Sequence, residues 1–363
     1  MKKLKFNKSV DQKLFYSSLK NKVYSEIDIA KYSYGTISFW IKGLFWFAVA
    51  YGSYMLLFLC DSKFYFWLLF LIFQLSGLLI GFSLGHDASH NTAFKNRTAN
   101  QVLHFFSFIT VGIDPLLWGL RHIRSHHLYA NVEGSDIDID ENPFLRLAPC
   151  HKRKWFHNFQ HIYAPFVYML ALLHSVFIGD WIYLFNKKYE WMRKGVNKIE
   201  LYSRFSAFKI FYFLLVLVLP ILFTNNHYYF VISTYLTTSA FTSLLFVVML
   251  VGTHFFEEAL YPDIADDVLN DSWAVHQLKT SCDWNANNHF AQFLSGGANC
   301  HAAHHLFPNL CHTSYSLINP IIERETLNFK LPYYNKTLLN MMKSHFKHLK
   351  KMGKKPKNPN SIK

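Results

Sequence analysis

Residues 64–90 read FYFWLLFLIFQLSGLLIGFSLGHDASH. From Phe64 to Gly85 there is no charged residue. About 20 apolar residues cross the hydrocarbon core of a bilayer as a helix. The run therefore predicts a membrane span. It ends directly on His86 and His90, which at i and i+4 share one helix face. A membrane helix that delivers imidazoles to its own end sets two questions: how many such helices there are, and what the imidazoles hold.

The chain has 363 residues, is 51% hydrophobic and 18% aromatic, and carries a formal charge of +14. Greasy and basic together fit either a nucleic-acid binder or a membrane protein. The first clusters its cations on polar folded surfaces; the second separates apolar runs from basic loops. Here they are separated, so nucleic acid is not an expected partner. Ile41 to Cys60 is apolar apart from Lys42, and Tyr228 to Gly252 is long and uncharged. Phe211 to Thr224 is short and spans only if extended back toward Ala207. Four spans result, at about 41–60, 64–85, 207–224 and 228–252.

The links CDSK and NNH pair the spans as two hairpins. Eight Lys lie in residues 1–37, fourteen Lys and Arg in 85–206 and twelve in 253–363, against only Lys63 in the two links. By the positive-inside rule both termini and the large middle segment face the cytoplasm. Ile162 to Ile178 is also apolar, interrupted by Pro165 and His174, and reads as an interfacial or partly sunken helix. No apolar core promptly follows the basic N-terminus, so no cleavable signal peptide is expected. The five Cys form no CxxC pair, which argues against a disulfide framework or a thiolate zinc site. Residues 343–363, ending KKMGKKPKNPNSIK, read as a basic disordered tail resting on anionic headgroups.

Most of the 20 His fall in groups. HDASH supplies His86 and His90, HIRSHH supplies His122, His126 and His127, and HAAHH supplies His301, His304 and His305. All three groups fall on the cytoplasmic side of this topology. One i,i+4 pair arises readily by chance; three groups on one membrane face do not. Neutral imidazole is the commonest nitrogen ligand of metals. Eight are too many for one tetrahedral zinc, and suit two ions with open positions. Iron, zinc and copper all suit an all-nitrogen donor set.

With these groups in view, the chain resembles the membrane fatty acid desaturases, and within them the bacterial branch with front-end-type, linoleoyl-CoA desaturase-like signatures. The resemblance rests on the three boxes and on HHLYANVEGSDIDID, WAVHQLKTSCDW and GGANCHAAHHLFPNLCHTSY, and runs through nearly the whole chain. It implies an all-α integral membrane protein: four transmembrane helices in two hairpins, with a cytosolic helical cap carrying a di-iron histidine cluster. The segments would be 1–37 (cytosolic N-terminal), 38–342 (desaturase domain) and 343–363 (tail).

The resemblance also implies a further ligand after the fourth span, where VGTHFFEE places His254. The implied metal set is then His86, His90, His122, His126, His127, His254, His301, His304 and His305. His276, His289 and His312 would be structural or supporting, and Asp87 and Glu257 would orient ligand imidazoles. The chain departs from the front-end pattern at His301 (usually Gln), Ala303 (usually Glu), Cys300 (usually aromatic) and Ala130 (commonly Thr). The acidic EGSDIDIDEN lacks the Glu that ends a calcium loop and reads as a structural loop.

The implied cofactors are two iron ions, with O2 as co-substrate. The implied substrate is a long acyl chain on coenzyme A or on a lipid. No HPGG haem motif and no nucleotide-binding glycine fingerprint is present, so a separate ferredoxin or cytochrome b5-like donor is expected. Phe105, Phe106, Trp118 and Trp284 are candidates for shaping an acyl tunnel. A related di-iron hydroxylase is the alternative, and a metal-storing membrane protein the third reading.

Overall fold

The computed structural model describes residues 4–7, 9–262, 264 and 267–355. Among these residues the regular structure is helical apart from two short parallel strand pairs, Lys5–Phe6 with Val268–Leu269 and Asp283–Trp284 with Asn335–Lys336. Helix α1 is Val10–Glu26. Helix α2, Ile37–Leu57, starts where the Thr36 hydroxyl accepts the N–H of Phe39. Helix α3, Lys63–Ser89, carries the apolar run and packs along α2. Near its end it loosens into a π turn at Gly81–Gly85. Helix α4, Arg97–Phe108, presses on that turn; a Cβ at Gly85 would lie 2.7 Å from the Phe108 ring.

Among the described residues, three helices are long and apolar enough to cross a membrane: α3, then Lys198–Phe223 and Tyr228–His254. The helix expected as the first span, α2, falls short. Lys42, Trp40, Trp46, Tyr51 and Tyr54 dilute its apolarity, and much of its length is turned toward α3. The segment expected to lie at the interface is a bent pair, Trp155–Tyr168 and Ala171–Phe185, turned by 73°. Taken as one span, that pair would make a fourth.

The third expected span starts earlier than Ala207. Asn197 caps its first turn by accepting the N–H groups of Ile199 and Glu200, and Arg204 pairs with Glu200 at 3.0 Å. This polar turn extends the helix below its apolar part.

In chain order, α5 is Pro115–Arg121, α6 Trp155–Tyr168, α7 Ala171–Phe185, α8 Lys198–Phe223 and α9 Tyr228–His254. One buried ion pair ties this layer together. Lys209 Nζ of α8 lies 2.7 Å from Asp180 Oδ2 of α7 and donates to the carbonyls of Gly112 and Val176. Asp180 also accepts the backbone N–H of Asp114, the residue whose carboxylate caps α5. The pair thus fixes where the second histidine box begins.

Helices α10, Trp273–Thr280, α11, His301–Leu306, and α12, Tyr315–Asn328, form a cap with α1. Phe15, Leu19 and Val23 of α1 are fully buried against Val275, Ala302, Leu306 and Ile318. The stretch expected to be disordered from Lys343 is helical as far as Gly353: α13 is Leu338–Gly353. Met341, His345, Leu349 and Met352 give it an apolar face at helical spacing, which docks on α6 and α9. Residues 356–363 of that expectation lie outside the described residues, as do residues 1–3 and 8 of the N-terminal segment.

Candidate metal centre

The three boxes meet at the cytoplasm-facing ends expected for α3 and α9, and they sort into two groups. His86, His90, His122 and His304 offer nitrogen atoms that all lie within 4.8 Å of one another. His126, His254, His301 and His305 form a second such group. In the first, His86 Nε2 is 3.2 Å from His122 Nε2 and 3.1 Å from His304 Nε2. In the second, His301 Nε2 is 2.6 Å from His254 Nε2 and 3.2 Å from His305 Nε2. His127 stands between the groups. Its Nε2 is 3.0 Å from that of His122, and its ring lies 4.4 Å from His304 and 4.6 Å from His305.

Local backbone explains the sorting. The second box lies on a π turn, His122–His126, so its histidines do not share one α-helical face. His122 turns to the first group and His126 to the second. On α11, His301 and His305 are one turn apart and reach the second group, while His304 reaches the first. The opposite face of α11 is apolar: Ala302, Ala303 and Leu306 sit in the core with α1. Ala303 and Cys300, two departures from the front-end pattern, therefore belong to this packing face. His301, the third, points at His254.

The outer nitrogens reveal how the rings are held. His126 Nδ1 is 3.1 Å from Asp136 Oδ2, His254 Nδ1 2.8 Å from the Thr280 carbonyl, and His305 Nδ1 2.7 Å from Gln277 Oε1. Each acceptor draws the ring proton to Nδ1 and leaves the Nε2 lone pair facing the centre. His304 Nδ1 lies 3.3 Å from the Tyr315 hydroxyl. Burial, reinforced by neighbouring imidazoles, pushes His122, His127, His301, His304 and His305 well below the usual histidine range. His126 goes the other way: burial opposes its charge, but the charge and hydrogen bond of Asp136, with the charge of Asp138, together outweigh that and raise it.

A metal fits this arrangement. Converging lone pairs repel unless a cation lies among them. The buried Nε2 of His90 has no hydrogen-bond partner among the described residues. No cysteine belongs to either group among those residues. An all-imidazole donor set with two centres suits two borderline divalent ions.

The remaining candidates fall elsewhere. Asp87 bonds His312, with Oδ2 2.8 Å from Nδ1, and stands 3.9 Å from His86. His312 Nε2 in turn lies 2.5 Å from Lys42 Nζ. Glu257, expected to orient a ligand, is exposed and pairs with Lys347 at 3.5 Å. His276 bonds the Ala130 carbonyl, and His289 is exposed.

Trp118 stacks on His122 at 4.5 Å and packs against Phe108, walling one side of the first group. Phe105 packs on Phe208, Trp284 donates to the Met249 carbonyl, and Phe106 is exposed. Sequence reasoning missed Asp136, Gln277 and Tyr315 as supports. All three lie in stretches quoted for the resemblance, but only the fold brings them to the rings.

Residues 62–337 match the family described as Fatty acid desaturase. Similar proteins include an acyl-lipid (8-3)-desaturase of Physcomitrium patens, 27% identical over 86% of this chain and 66% of that protein. An sn-1 linoleoyl-lipid 6-desaturase of Arthrospira platensis is 28% identical over 76% of this chain and 75% of that protein. An acyl-lipid (8-3)-desaturase B of Dictyostelium discoideum is 27% identical, covering 96% and 78% respectively.

Proposed function

Since the chain belongs to the fatty acid desaturase family, we propose that it introduces a cis double bond into the long acyl chain of a membrane lipid. The balance is –CH2–CH2– plus O2, two electrons and two protons, giving –CH=CH– and two waters. The observation that carries the reading is the pair of histidine groups whose Nε2 atoms converge at the ends of apolar helices. The relatives' names, acyl-lipid and linoleoyl-lipid desaturases, favour a lipid carrier over coenzyme A.

His86, His90, His122, His127 and His304 would hold one iron; His126, His254, His301 and His305 would hold the other. Bound there, the irons supply the oxygen activation that lets an unactivated methylene lose hydrogen. The protein's share is positioning and exclusion. Asp136, Gln277 and the Thr280 carbonyl fix ring orientation. Trp118 and Phe108 offer the apolar wall against which a methylene pair would lie, and the buried cap keeps bulk water out.

We read the topology as four spans, α2, α3, α8 and α9, with α6 and α7 in the interface. Exposed Ile41, Leu44, Phe45, Met55 and Leu56 support α2 as lipid-facing. Trp155, Phe159, Ile162 and Phe166 give α6 an exposed apolar stripe at helical spacing. The distribution of Lys and Arg supports histidine groups and termini on the cytoplasmic side. The test is a fatty acid profile by gas chromatography–mass spectrometry, from a host of defined lipids expressing the chain and a donor system beside a His305→Ala control. A new unsaturated species absent from the control is expected. A hydroxylated species would assign the hydroxylase chemistry, and no iron-dependent product would remove the reading.

A further inference from the structure

The reaction consumes two electrons from outside the chain, and helix α13 offers them an entrance. Its buried face is spent on the protein, and its other face carries Lys343, Lys347, Lys350, Lys351 and Lys354, all exposed. Arg153 donates to the Gly353 carbonyl, adding a further cation at the helix end. Of the acids described beside it, Glu257 pairs with Lys347 and Glu258 with Lys336. Past Leu339, this helix exposes no large apolar side chain. A helix lying on a membrane needs one; that feature belongs to α6.

The helix is also close to the centre. His345 is fully buried on its inner face; its Nδ1 donates to the Phe255 carbonyl at 2.7 Å, and its Nε2 accepts from the Tyr168 hydroxyl at 2.6 Å. Phe255 directly follows His254. The lysine face is thus one helix width, one hydrogen bond and one peptide unit from the second histidine group.

We propose that the lysine face of α13 is the docking site of a separate acidic one-electron carrier protein. The inference rests on the desaturase reading for its purpose, though not for its test. Two successive dockings supply the two electrons; the carrier is oxidised each time, and the protons come from water. A ring of like charge speeds encounter with an opposite partner and makes it salt-sensitive.

The test is direct binding of an acidic plant-type [2Fe–2S] ferredoxin to the full chain in nanodiscs of neutral lipid, with Lys347→Glu, Lys350→Glu and Lys351→Glu combined. The expected result is binding weakened roughly tenfold, with a shallower salt dependence. Single-turnover activity driven by a photoreduced deazaflavin should stay at the wild-type level. Unchanged affinity and salt dependence in the variant would overturn the proposal. So would an effect confined to nanodiscs containing anionic lipid, which would assign the face to headgroups. Binding lost in the variant while neither protein makes a double bond would uphold the docking site and remove the desaturase reading alone.

Discussion

The two histidine groups contain the same number of clustered imidazoles and the same donor atoms, yet they are supported differently. In the second group, three rings have their outer nitrogen on a carboxylate, an amide oxygen or a main-chain carbonyl at 2.7–3.1 Å. In the first, the support is a hydroxyl at 3.3 Å from His304 and the Asp87 carboxylate 3.9 Å from His86; among the described residues the fourth ring of the second group, His301, has no hydrogen-bond partner at Nδ1. The second group is pre-oriented by its protein; the first depends more on what it binds. The difference matches their surroundings: the second lies under the cap, the first beside Trp118 and the apolar helices.

The broadest way to break this comparison is to remove a ring from each side. His304→Ala and His126→Ala should both reduce product to background while the protein remains in the membrane. Iron analysis should show a fall from two ions per chain; full activity in either would refute the assignment. A change that loosens both groups alike is Lys209→Ala, which strands the Asp180 carboxylate and frees the start of the second box. Breaking such a buried pair costs about 3–5 kcal/mol, to be read as a lower thermal midpoint in detergent.

The sharpest contrast comes next. Gln277→Ala should weaken iron at the second group roughly 10–100-fold, whereas Tyr315→Phe, losing a long contact, should change retention by less than about tenfold. Equal effects in a chelator-competition series would erase the distinction between the groups. The smallest effect is expected for His276→Ala. It breaks one buried bond to the Ala130 carbonyl at about 1–3 kcal/mol, and iron stoichiometry should hold at two.

Much of this was legible before the fold was seen. The helical spacing within each box named all eight boxed histidines that now converge, and the uncharged runs located α3 and α9. The resemblance, and no spacing, supplied His254. Partition into two groups was not legible, because it depends on a π turn that composition does not announce. The supports were hidden for another reason: Asp136, Gln277 and Tyr315 lie 10, 28 and 11 residues from the rings they meet. The helix to Gly353 was missed because lysines dominate the composition there, although Met341, His345, Leu349 and Met352 keep a helical rhythm beneath them. The first span is harder to read in the sequence for the opposite reason: Lys42 and the Trp and Tyr residues lower the apolarity of α2. Tyr54 packs on Phe73 of α3 and Lys42 is buried against His312, so these groups are covered within the protein.

The π turn at Gly81–Gly85 has a consequence for how this chain tolerates change in length. Such a turn is equivalent to one extra residue slipped into a regular helix. Deleting a single residue there would restore ordinary winding and leave the residues beyond near their present phase, whereas deleting one from the regular helix before the turn would swing everything beyond by about 100°. His86 and His90 would then face away from His122 and His304 with every side chain chemically intact. Ordering the metal centre in this helix is therefore a matter of phase as well as identity, and the π turn is the place upstream of the first box where the helix can absorb a one-residue change in length.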